Sequence, residues 1–348
     1  MFRVFSYCVL LAALTIAPGH AEPLKLRLTL QFPITDPFQG KSVADFKMAV
    51  ERETKNAITI EVLDKGQVNI DYQALDAVKS GVVEMGVAGL NQVTKVIPAA
   101  SIMEQPFLFN FEALVHAATS PDSDMRQLID DAILKSTGVR VLWWQTLGPQ
   151  VFYTKDGDVR NPERFMGLKT QANSDTMASL VTYCGGVPLD VPVSKIHDAL
   201  KDGTLDGVMI GIAAAKTLGL WEVTHAITRT EHATIEFVVL INENNWRQLS
   251  EEQQRIVINE ARTVERRARE RAALLEIAGY EFAKSKGMRI YELPQTDVAE
   301  WRACSTEVLT NYLEQTGELT SKLMAAYAKL RRQPCCSAGP AADGLKGR

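Results

Sequence analysis

Apolar and polar positions alternate in two different ways along the first part of the chain. From Lys25 to Phe32 every second residue is apolar, which is typical of a strand with one buried face. From Ser42 to Lys55 the apolar residues recur at helical spacing, and residues 58–63 are rich in β-branched side chains. Residues 71–79 predict a helix and residues 82–88 a short apolar strand. Strands that alternate with helices in this way predict an α/β fold with a mainly parallel sheet.

The later part of the chain adds more strands and then long helices. Short strands are predicted at residues 138–144, 167–171, 188–191, 208–212 and 288–293. Ser250 to Gln253 form a predicted capping box, and helical spacing continues from there to Lys286, with Gly287 as the expected C-cap. A helix of about 36 residues is ~54 Å long, which exceeds the width of one small domain. We therefore expect it to lie across two lobes, and residues 298–329 form a final helical region.

The first 21 residues have the pattern of a secretory signal peptide. Arg3 precedes an apolar run from Val4 to Pro18, and Gly19-His20-Ala21 offers small residues for cleavage after Ala21. No later segment approaches the ~20 apolar residues of a membrane-spanning helix. The pattern predicts an exported, soluble protein, with an uncleaved interfacial anchor as the alternative.

Charge and cysteine content exclude some partners and leave one question open. The formal net charge is −4 with both signs interspersed, and no basic block is present, so we expect no nucleic-acid partner. After the signal the cysteines are Cys184, Cys304, Cys335 and Cys336, without a C-x-x-C pair. Cys184 and Cys304 could form a disulfide in an oxidising compartment or stay as two buried thiols.

The sequence offers little for catalysis. After the signal there are four histidines, and none pairs with another His or Cys at a metal-binding spacing. The sequence also lacks a Gly-x-Ser-x-Gly elbow, a phosphate-binding glycine loop and a GxGxxG after a strand. We therefore expect no catalytic residue, no cofactor and no metal, and predict a binding protein.

Five blocks of sequence, in order and at matching spacing, resemble the DctP-type solute-binding proteins of TRAP (tripartite ATP-independent periplasmic) transporters. They are Gln105–Phe109, Gly138–Gln145 with Gly148–Thr154, Gly167–Lys169, Pro188–Gly207 and Asn242–Glu252. The resemblance covers nearly the whole mature chain. It implies a monomeric periplasmic protein that captures a small organic solute and delivers it to an integral membrane permease.

The resemblance also implies an architecture. The expected fold is a two-lobed, type II-like periplasmic binding protein of the α/β class, with the ligand between the lobes and the long helix spanning both. Lobe 1 is expected to comprise residues 22–146 and 236–275, and lobe 2 residues 147–235 and 276–331. The tail, residues 332–348, is expected to be disordered because its composition gives it nothing to pack.

Both arginines that the family commonly uses to clamp a ligand carboxylate are replaced in this chain. The position after Gly167-Leu168-Lys169 falls on Gln171, with Thr170 as the alternative, and the position in the strand after the hinge falls on Gln150. An aromatic position of the family is Val193, and an asparagine position is Ile210. The other expected ligand contacts are Leu90, Asn91, Asn173 and Trp144.

Several of these residues also have purely structural interpretations. Trp143 and Trp144 are neighbours on a strand, so at most one is expected to face the cleft. Gln171 could hydrogen-bond the backbone at a strand end. Asn173 and Ser174 precede a helix and could serve as its N-cap. Asp206-Gly207 is expected to set a turn rather than to contact ligand.

Amides hydrogen-bond a carboxylate but do not neutralise it, so a dicarboxylate held by two arginines is disfavoured. One alternative is a neutral or zwitterionic solute with an apolar body. The other is a monocarboxylate, or an aromatic or apolar organic acid, held by amides and by backbone N–H groups near Ser194. Lys195 could assist, but its place on the helix is expected to face solvent. The family's substrates favour the organic acid. A protein that only senses its ligand is a third possibility.

Overall fold

A computed structural model of the chain describes residues 22–64, 74–315 and 317–337. The predicted signal peptide therefore lies outside the described residues. Among the described helices, none is long and apolar enough to cross a membrane. The elements follow one another as strands and helices in alternation, as the sequence predicts.

The elements of the first half build lobe 1 and the first crossing strand. They are β1 (Leu24–Thr29), α1 (Gln39–Glu53), β2 (Ile58–Leu63), α2 (Ala74–Lys79), β3 (Met85–Gly89), α3 (Leu90–Thr94), α4 (Glu112–Thr119), α5 (Asp124–Thr137) and β4 (Val139–Thr154). A 3₁₀ turn at Pro98–Glu104 separates α3 from α4.

The second half builds lobe 2 and returns to lobe 1. Its elements are β5 (Lys169–Gln171), α6 (Asp175–Tyr183), β6 (Val187–Leu189), α7 (Ile196–Asp202), β7 (Gly207–Gly211), β8 (Ala226–Arg229), β9 (Thr234–Asn242), α8 (Glu243–Gln248), α9 (Glu251–Ser285), β10 (Arg289–Glu292), α10 (Gln295–Cys304), α11 (Thr306–Glu314) and α12 (Glu318–Leu330).

Two strands carry the sheet from one lobe to the other. The strand order is β2-β1-β3-β9-β4-β7-β5-β6, with β8 pairing with both β4 and β10. Residues 139–149 of β4 pair antiparallel with β9, and residues 150–154 pair with β7. The sequence predicts two strands here, but the structure has one continuous strand of 16 residues with an irregularity at Gly148, whose φ is +113°. Glycine adopts this conformation without a Cβ clash, so the strand passes between the lobes unbroken.

Helix α9 spans both lobes, as predicted. Its capping box is present: Gln253 N–H donates to Ser250 Oγ at 3.3 Å, and Ser250 N–H donates to Gln253 Oε1 at 2.9 Å. Val257 and Val264 pack into the core of lobe 1, whereas Ala283 packs into the core of lobe 2. The helix therefore ties the two lobes together alongside β4 and β9.

The carboxy-terminal helices differ from the prediction. The expected single helical region is three helices, and they do not all pack on lobe 2. Trp301 of α10 packs in lobe 2 against Phe165, whereas Leu323 and Tyr327 of α12 pack in lobe 1. Helix α11 makes the crossing, because Val308 near its start packs in lobe 2 and Tyr312 near its end packs in lobe 1. Residues 318–330 thus belong to lobe 1 by packing, which corrects the predicted lobe boundary.

The cysteines answer the question left open by the sequence. Cys184, at the end of α6, and Cys304, at the end of α10, form a disulfide with their Cα atoms 5.1 Å apart. Cys336 is buried in the core of lobe 1, and its Sγ lies 3.8 Å from the Ala113 carbonyl oxygen. Residues 332–337 therefore include a packed position, contrary to the expected disordered tail, because Cys336 finds an apolar site beside α4. Residues 338–348 lie outside the described part of the chain.

Candidate ligand-binding cleft

A cavity of about 90 Å³ lies between the two lobes, where the strands of both sheets end. Open α/β sheets bind ligands at the carboxyl ends of their strands. Three groups of residues line it: Gln31, Phe32, Gly89, Leu90, Asn91, Gln92 and Glu104 from lobe 1; Gln171, Asn173, Met177, Val193, Ile196, Met209 and Ile210 from lobe 2; and Leu147, Gln150, Thr234, Ile235, Glu236 and Phe237 from the crossing strands.

The structure brings seven of the eight predicted contact residues together at this cavity. They are Leu90, Asn91, Gln150, Gln171, Asn173, Val193 and Ile210. Leu90 and Asn91 come directly after β3, and Gln171 is the last residue of β5. Residues far apart in the sequence therefore meet because parallel strands end at the same edge of each sheet.

Trp144 is the exception, and it does not reach the cavity. Its indole Nε1 donates to Asp130 Oδ1 at 2.8 Å, and its side chain lies in the lobe-1 core. Trp143 is buried on the opposite face against Phe46, with ring centroids 4.6 Å apart. Helices cover both faces of the sheet at this point of β4, so both tryptophans are core residues.

The two lobes contact each other across the cavity. The side-chain Nδ2 of Asn91 donates to the main-chain carbonyl of Asn173 at 3.0 Å. Ser174 Oγ accepts from Met177 N–H at 3.2 Å, so Ser174 is the N-cap of α6, as one interpretation of the sequence proposed. Lobe 1 thus touches the segment that leads into α6.

Gln171 has both of the roles that the sequence left open. Its Nε2 donates to the Val191 carbonyl at 3.3 Å, and its side chain also lines the cavity. Lys195 is exposed, in keeping with its expected position toward solvent, and neither Ser194 nor Lys195 belongs to the lining, although Val193 and Ile196 on either side of them do. The polar lining from lobe 2 therefore consists of amides.

Two acidic residues in the lining escaped the sequence interpretation. Glu236 is only 4% exposed, and its Oε2 accepts a hydrogen bond of 2.7 Å from Thr146 Oγ1. Glu104 ends the 3₁₀ turn after α3 and faces Ser174 of the other lobe. Among the described residues, Glu104 Oε2 and Glu236 Oε1 are buried without a hydrogen-bond partner.

Burial determines the protonation of both acids. It raises the pKa of Glu236 to about 7, against the opposing effect of the Thr146 hydrogen bond. Burial likewise raises the pKa of Glu104 to about 7, although the Ser174 hydroxyl favours the ionised form. No Lys, Arg or His belongs to the part of this lining that the structure describes. The cleft therefore offers amides and carboxyl groups.

One of these acids had a signal in the sequence. Glu236 interrupts the apolar run from Thr234 to Ile241, and an acidic residue inside a buried strand is costly unless it has a role. Glu104 stands just before the Gln105–Phe109 block without a comparable pattern. Only the fold shows that the two residues share a cavity.

Comparison with known sequences identifies the protein family to which this chain is similar. The sequence model of the DctP family, described as bacterial extracellular solute-binding protein, family 7, matches residues 34–316. A relative described as a solute-binding protein of Chromohalobacter salexigens is 25% identical over 294 residues, which cover 81% of this chain and 83% of the relative.

Solved structures share the fold. DctP7, a Bordetella pertussis extracytoplasmic solute receptor binding pyroglutamic acid, superposes with a TM-score of 0.81 at 19% identity, covering 87% of this chain and 99% of that chain. A TRAP periplasmic solute-binding protein of C. salexigens with bound D-glucuronate also gives a TM-score of 0.81, at 20% identity, with the same coverage of 87% and 99%. Both are similar to this chain in their two-lobed α/β architecture.

Proposed function

Because the chain belongs to the DctP family of bacterial extracellular solute-binding proteins, which work with TRAP membrane permeases, we propose that the cavity between its lobes captures a neutral or zwitterionic polar solute. The family consists of solute-binding receptors rather than enzymes, and the fold agrees with that role. The observation that carries the choice of solute is the lining, which combines amides with two buried carboxyl groups and contains no described cationic side chain.

The lining argues against the organic acid that the family's substrates favour. A buried ligand carboxylate needs cationic or multiple neutral donors, and amides alone leave its charge uncompensated. In this cleft it would also share a small volume with Glu104 and Glu236. Pyroglutamic acid and D-glucuronate, bound by the two similar structures, carry the carboxylate that this lining disfavours.

Amide side chains suit the proposed solute. Gln150, Gln171 and Asn91 each carry donor and acceptor atoms, which can pair with hydroxyl, amide or ammonium groups. Val193 and Ile210 give the same cavity an apolar wall for the body of the ligand. A polar molecule with a short apolar skeleton therefore matches the lining.

Capture proceeds through closure of the lobes. Strands β4 and β9 and helix α9 connect the two lobes, and the Asn91–Asn173 hydrogen bond joins them across the cavity. A solute that contacts both lobes favours the closed state by its greater affinity for that state. The closed protein then presents its solute to the permease. We place the protein in the periplasm after removal of residues 1–21.

The test uses the mature chain, residues 22–348. The protein is purified from its host, denatured, and the released small molecules are identified by mass spectrometry. Each is then added back to ligand-free protein. We expect a polar solute without net negative charge to raise Tm and to shrink the radius of gyration in small-angle X-ray scattering. A protein that binds no solute from a broad metabolite set, or closes on none, would contradict the proposed function.

A further inference from the structure

We propose that Glu104 and Glu236 together recognise a positively charged nitrogen, so that this cleft selects amine-bearing solutes. The inference rests on the proposed function and narrows it to one chemical class. It starts from two acidic residues that the fold brings into one cavity, 132 positions apart by their numbers.

Glu236 forms the fixed side of the proposed recognition site. It lies on β9, opposite Thr146 of β4, at the place where both strands cross between the lobes. Thr146 Oγ1 donates to its Oε2 at 2.7 Å and holds the carboxyl group in place. Its Oε1 is buried and makes no hydrogen bond among the described residues, although the nearby Thr234 hydroxyl favours the ionised form, and the side chain lines the cavity. An N⁺–H donor from a ligand would satisfy that oxygen.

Glu104 forms the side of the proposed recognition site that lies next to lobe 2. It belongs to lobe 1, but its carboxyl group lies beside the Ser174 hydroxyl at the start of α6, which favours the ionised form of Glu104. Its Oε2 is also buried without a partner among the described residues. A ligand nitrogen held here would contact the boundary between the lobes, so its binding energy would favour closure.

The charged groups nearby do not neutralise this pair. Arg269 is the cation that acts on Glu236, but its Nη2 donates to Glu265 Oε1 at 2.8 Å and to the Thr119 carbonyl at 2.8 Å. Glu265 acts on Glu236 in the opposite sense, and Asp175 is the acid that acts on Glu104. Two ionised carboxylates in one cavity are unfavourable without a counter-charge. A bound ammonium would supply it through charge-assisted hydrogen bonds.

The competing possibility is that Glu104 and Glu236 are both protonated, in which case the cleft would prefer a ligand carboxylate to a ligand cation. As neutral groups they could donate hydrogen bonds to a ligand carboxylate. The two possibilities differ in the charge of the favoured ligand and in its pH dependence. A cationic ligand binds more tightly as the pH rises and the acids ionise, whereas a carboxylate ligand binds more tightly as the pH falls.

The experiment compares ligands that share a skeleton and differ in charge. The first set is D-glucosamine, D-glucose and D-glucuronate, and the second is prolinamide, pyroglutamide and pyroglutamate. Tm shifts and calorimetric affinities are measured at pH 5 and pH 7, where the amines of D-glucosamine and prolinamide are mostly protonated, for the wild type, Glu104→Gln and Glu236→Gln. Glu270→Gln is the matched control, because Glu270 is an exposed residue of α9 outside the cavity.

We expect the cationic member of a set to bind more tightly at pH 7 than at pH 5, and at pH 7 at least tenfold more tightly than its carboxylate. Glu104→Gln and Glu236→Gln should each weaken that binding at least tenfold, and Glu270→Gln should not. A preference for the carboxylate member, or cation binding that both cavity variants retain, would overturn the inference. If neither set binds, the solute released from the purified protein decides: one with a positively charged nitrogen supports the inference, and one without such a nitrogen overturns it.

The inference and the proposed function fail in different ways. An anion that closes the wild-type protein would leave solute capture intact and remove only the amine preference. Failure of the wild type to close on any solute would remove both.

Discussion

The side-chain amide of Asn91 in lobe 1 donates a 3.0 Å hydrogen bond to the main-chain carbonyl of Asn173 in lobe 2. Asn91 directly follows β3 at the carboxyl end of the lobe-1 sheet, and Asn173 lies between β5 and α6. Both residues also line the cavity. This bond exists only when the lobes approach each other, so it contributes to the closed state and not to either lobe alone.

Asn91→Ala should therefore weaken closure more than folding. Loss of one such hydrogen bond costs about 0.5–1.5 kcal/mol, so we expect solute affinity to fall roughly 2- to 12-fold. Calorimetric titration with the solute released from the purified protein measures this change. Asn244→Ala, an exposed position on α8, is the control and should bind like the wild type. Equal affinity of the Asn91 variant and the wild type would show that the bond does not support closure.

Gln171→Arg restores the arginine that the family commonly has at this position, and it tests whether the glutamine is the reason that carboxylate ligands are disfavoured. Gln171 lines the cavity at the end of β5, and a guanidinium there would pair with a ligand carboxylate. We expect affinity for D-glucuronate to rise about tenfold, equivalent to about 1.4 kcal/mol, and affinity for an amine-bearing ligand to fall. Gln171→Met gives a side chain of similar length to glutamine, without the charge of the arginine variant, and should gain no affinity for glucuronate. Unchanged anion affinity in the arginine variant would place Gln171 outside the ligand contacts.

The disulfide between Cys184 and Cys304 should contribute strongly to stability. It joins the end of α6 to the end of α10 across 120 residues of sequence. Cross-links that close long loops stabilise a fold by about 2–5 kcal/mol. We expect Cys184→Ala/Cys304→Ala to lose stability in that range, measured by urea unfolding. Cys335→Ala, at an exposed free thiol, should match the wild type. A double variant as stable as the wild type would contradict the prediction.

The sequence predicts the strands and turns of this fold well where the local sequence pattern and the packing agree. The signature residues Asp206 and Gly207 are an example, because they were expected to be structural. Asp206 Oδ2 accepts from Lys169 N–H at 2.8 Å. A Cβ on Gly207 would lie 2.7 Å from the Tyr153 carbonyl oxygen. The pair fixes the place where β7 begins against β4 and β5, and this frame then positions the cavity.

The chemistry of the cleft is less accessible from sequence because it depends on long-range packing. The sequence predicts that Trp144 contacts the ligand, yet its indole donates to Asp130 inside the lobe-1 core. Glu104 and Glu236 enter the cavity from separate elements, and no local spacing relates them. Strand β9, which carries Glu236, was itself not predicted. The replaced arginines indicated an altered charge, but only the fold shows that carboxyl groups stand in the same cavity.

The buried ion pairs of Glu265 should hold α9 to lobe 1. Glu265 Oε1 accepts from Arg126 Nη1 at 2.6 Å and from Arg269 Nη2 at 2.8 Å, and Glu265 is only 2% exposed. Glu265→Gln leaves the buried Arg126 guanidinium and the partly exposed Arg269 guanidinium without this anion, and breaking a buried pair in this way costs about 3–5 kcal/mol. Urea unfolding measures the loss, with the exposed Glu270→Gln as control. A loss below about 1 kcal/mol would mean that Asp130 and the Thr119 carbonyl suffice for the two arginines.

The raised pKa of Glu236 makes the stability of the ligand-free protein depend on pH. Burial raises its pKa to about 7 from the ordinary value of 4.5, so the folded state holds this proton more tightly than the unfolded chain. Its contribution is therefore fully present below about pH 4.5 and is lost as the pH rises to about 7.

Glu236→Gln cannot ionise, and its amide oxygen can still accept from Thr146. We expect the wild type to lose about 2–3 kcal/mol of unfolding free energy relative to this variant between pH 5 and pH 8. Asp130 and His232 also titrate abnormally, but they lie outside the cavity lining and are common to both proteins. Glu104 shares the cavity, so the comparison is repeated with Glu104→Gln in both proteins, and the difference between those two curves reports on Glu236. Urea unfolding across this pH range provides the curves, and Glu270→Gln should follow the wild type. Parallel curves for the wild type and Glu236→Gln would contradict this prediction. They would show that Glu236 ionises in the folded protein as easily as in the unfolded chain, so the cavity would lack the buried acid that the amine preference requires.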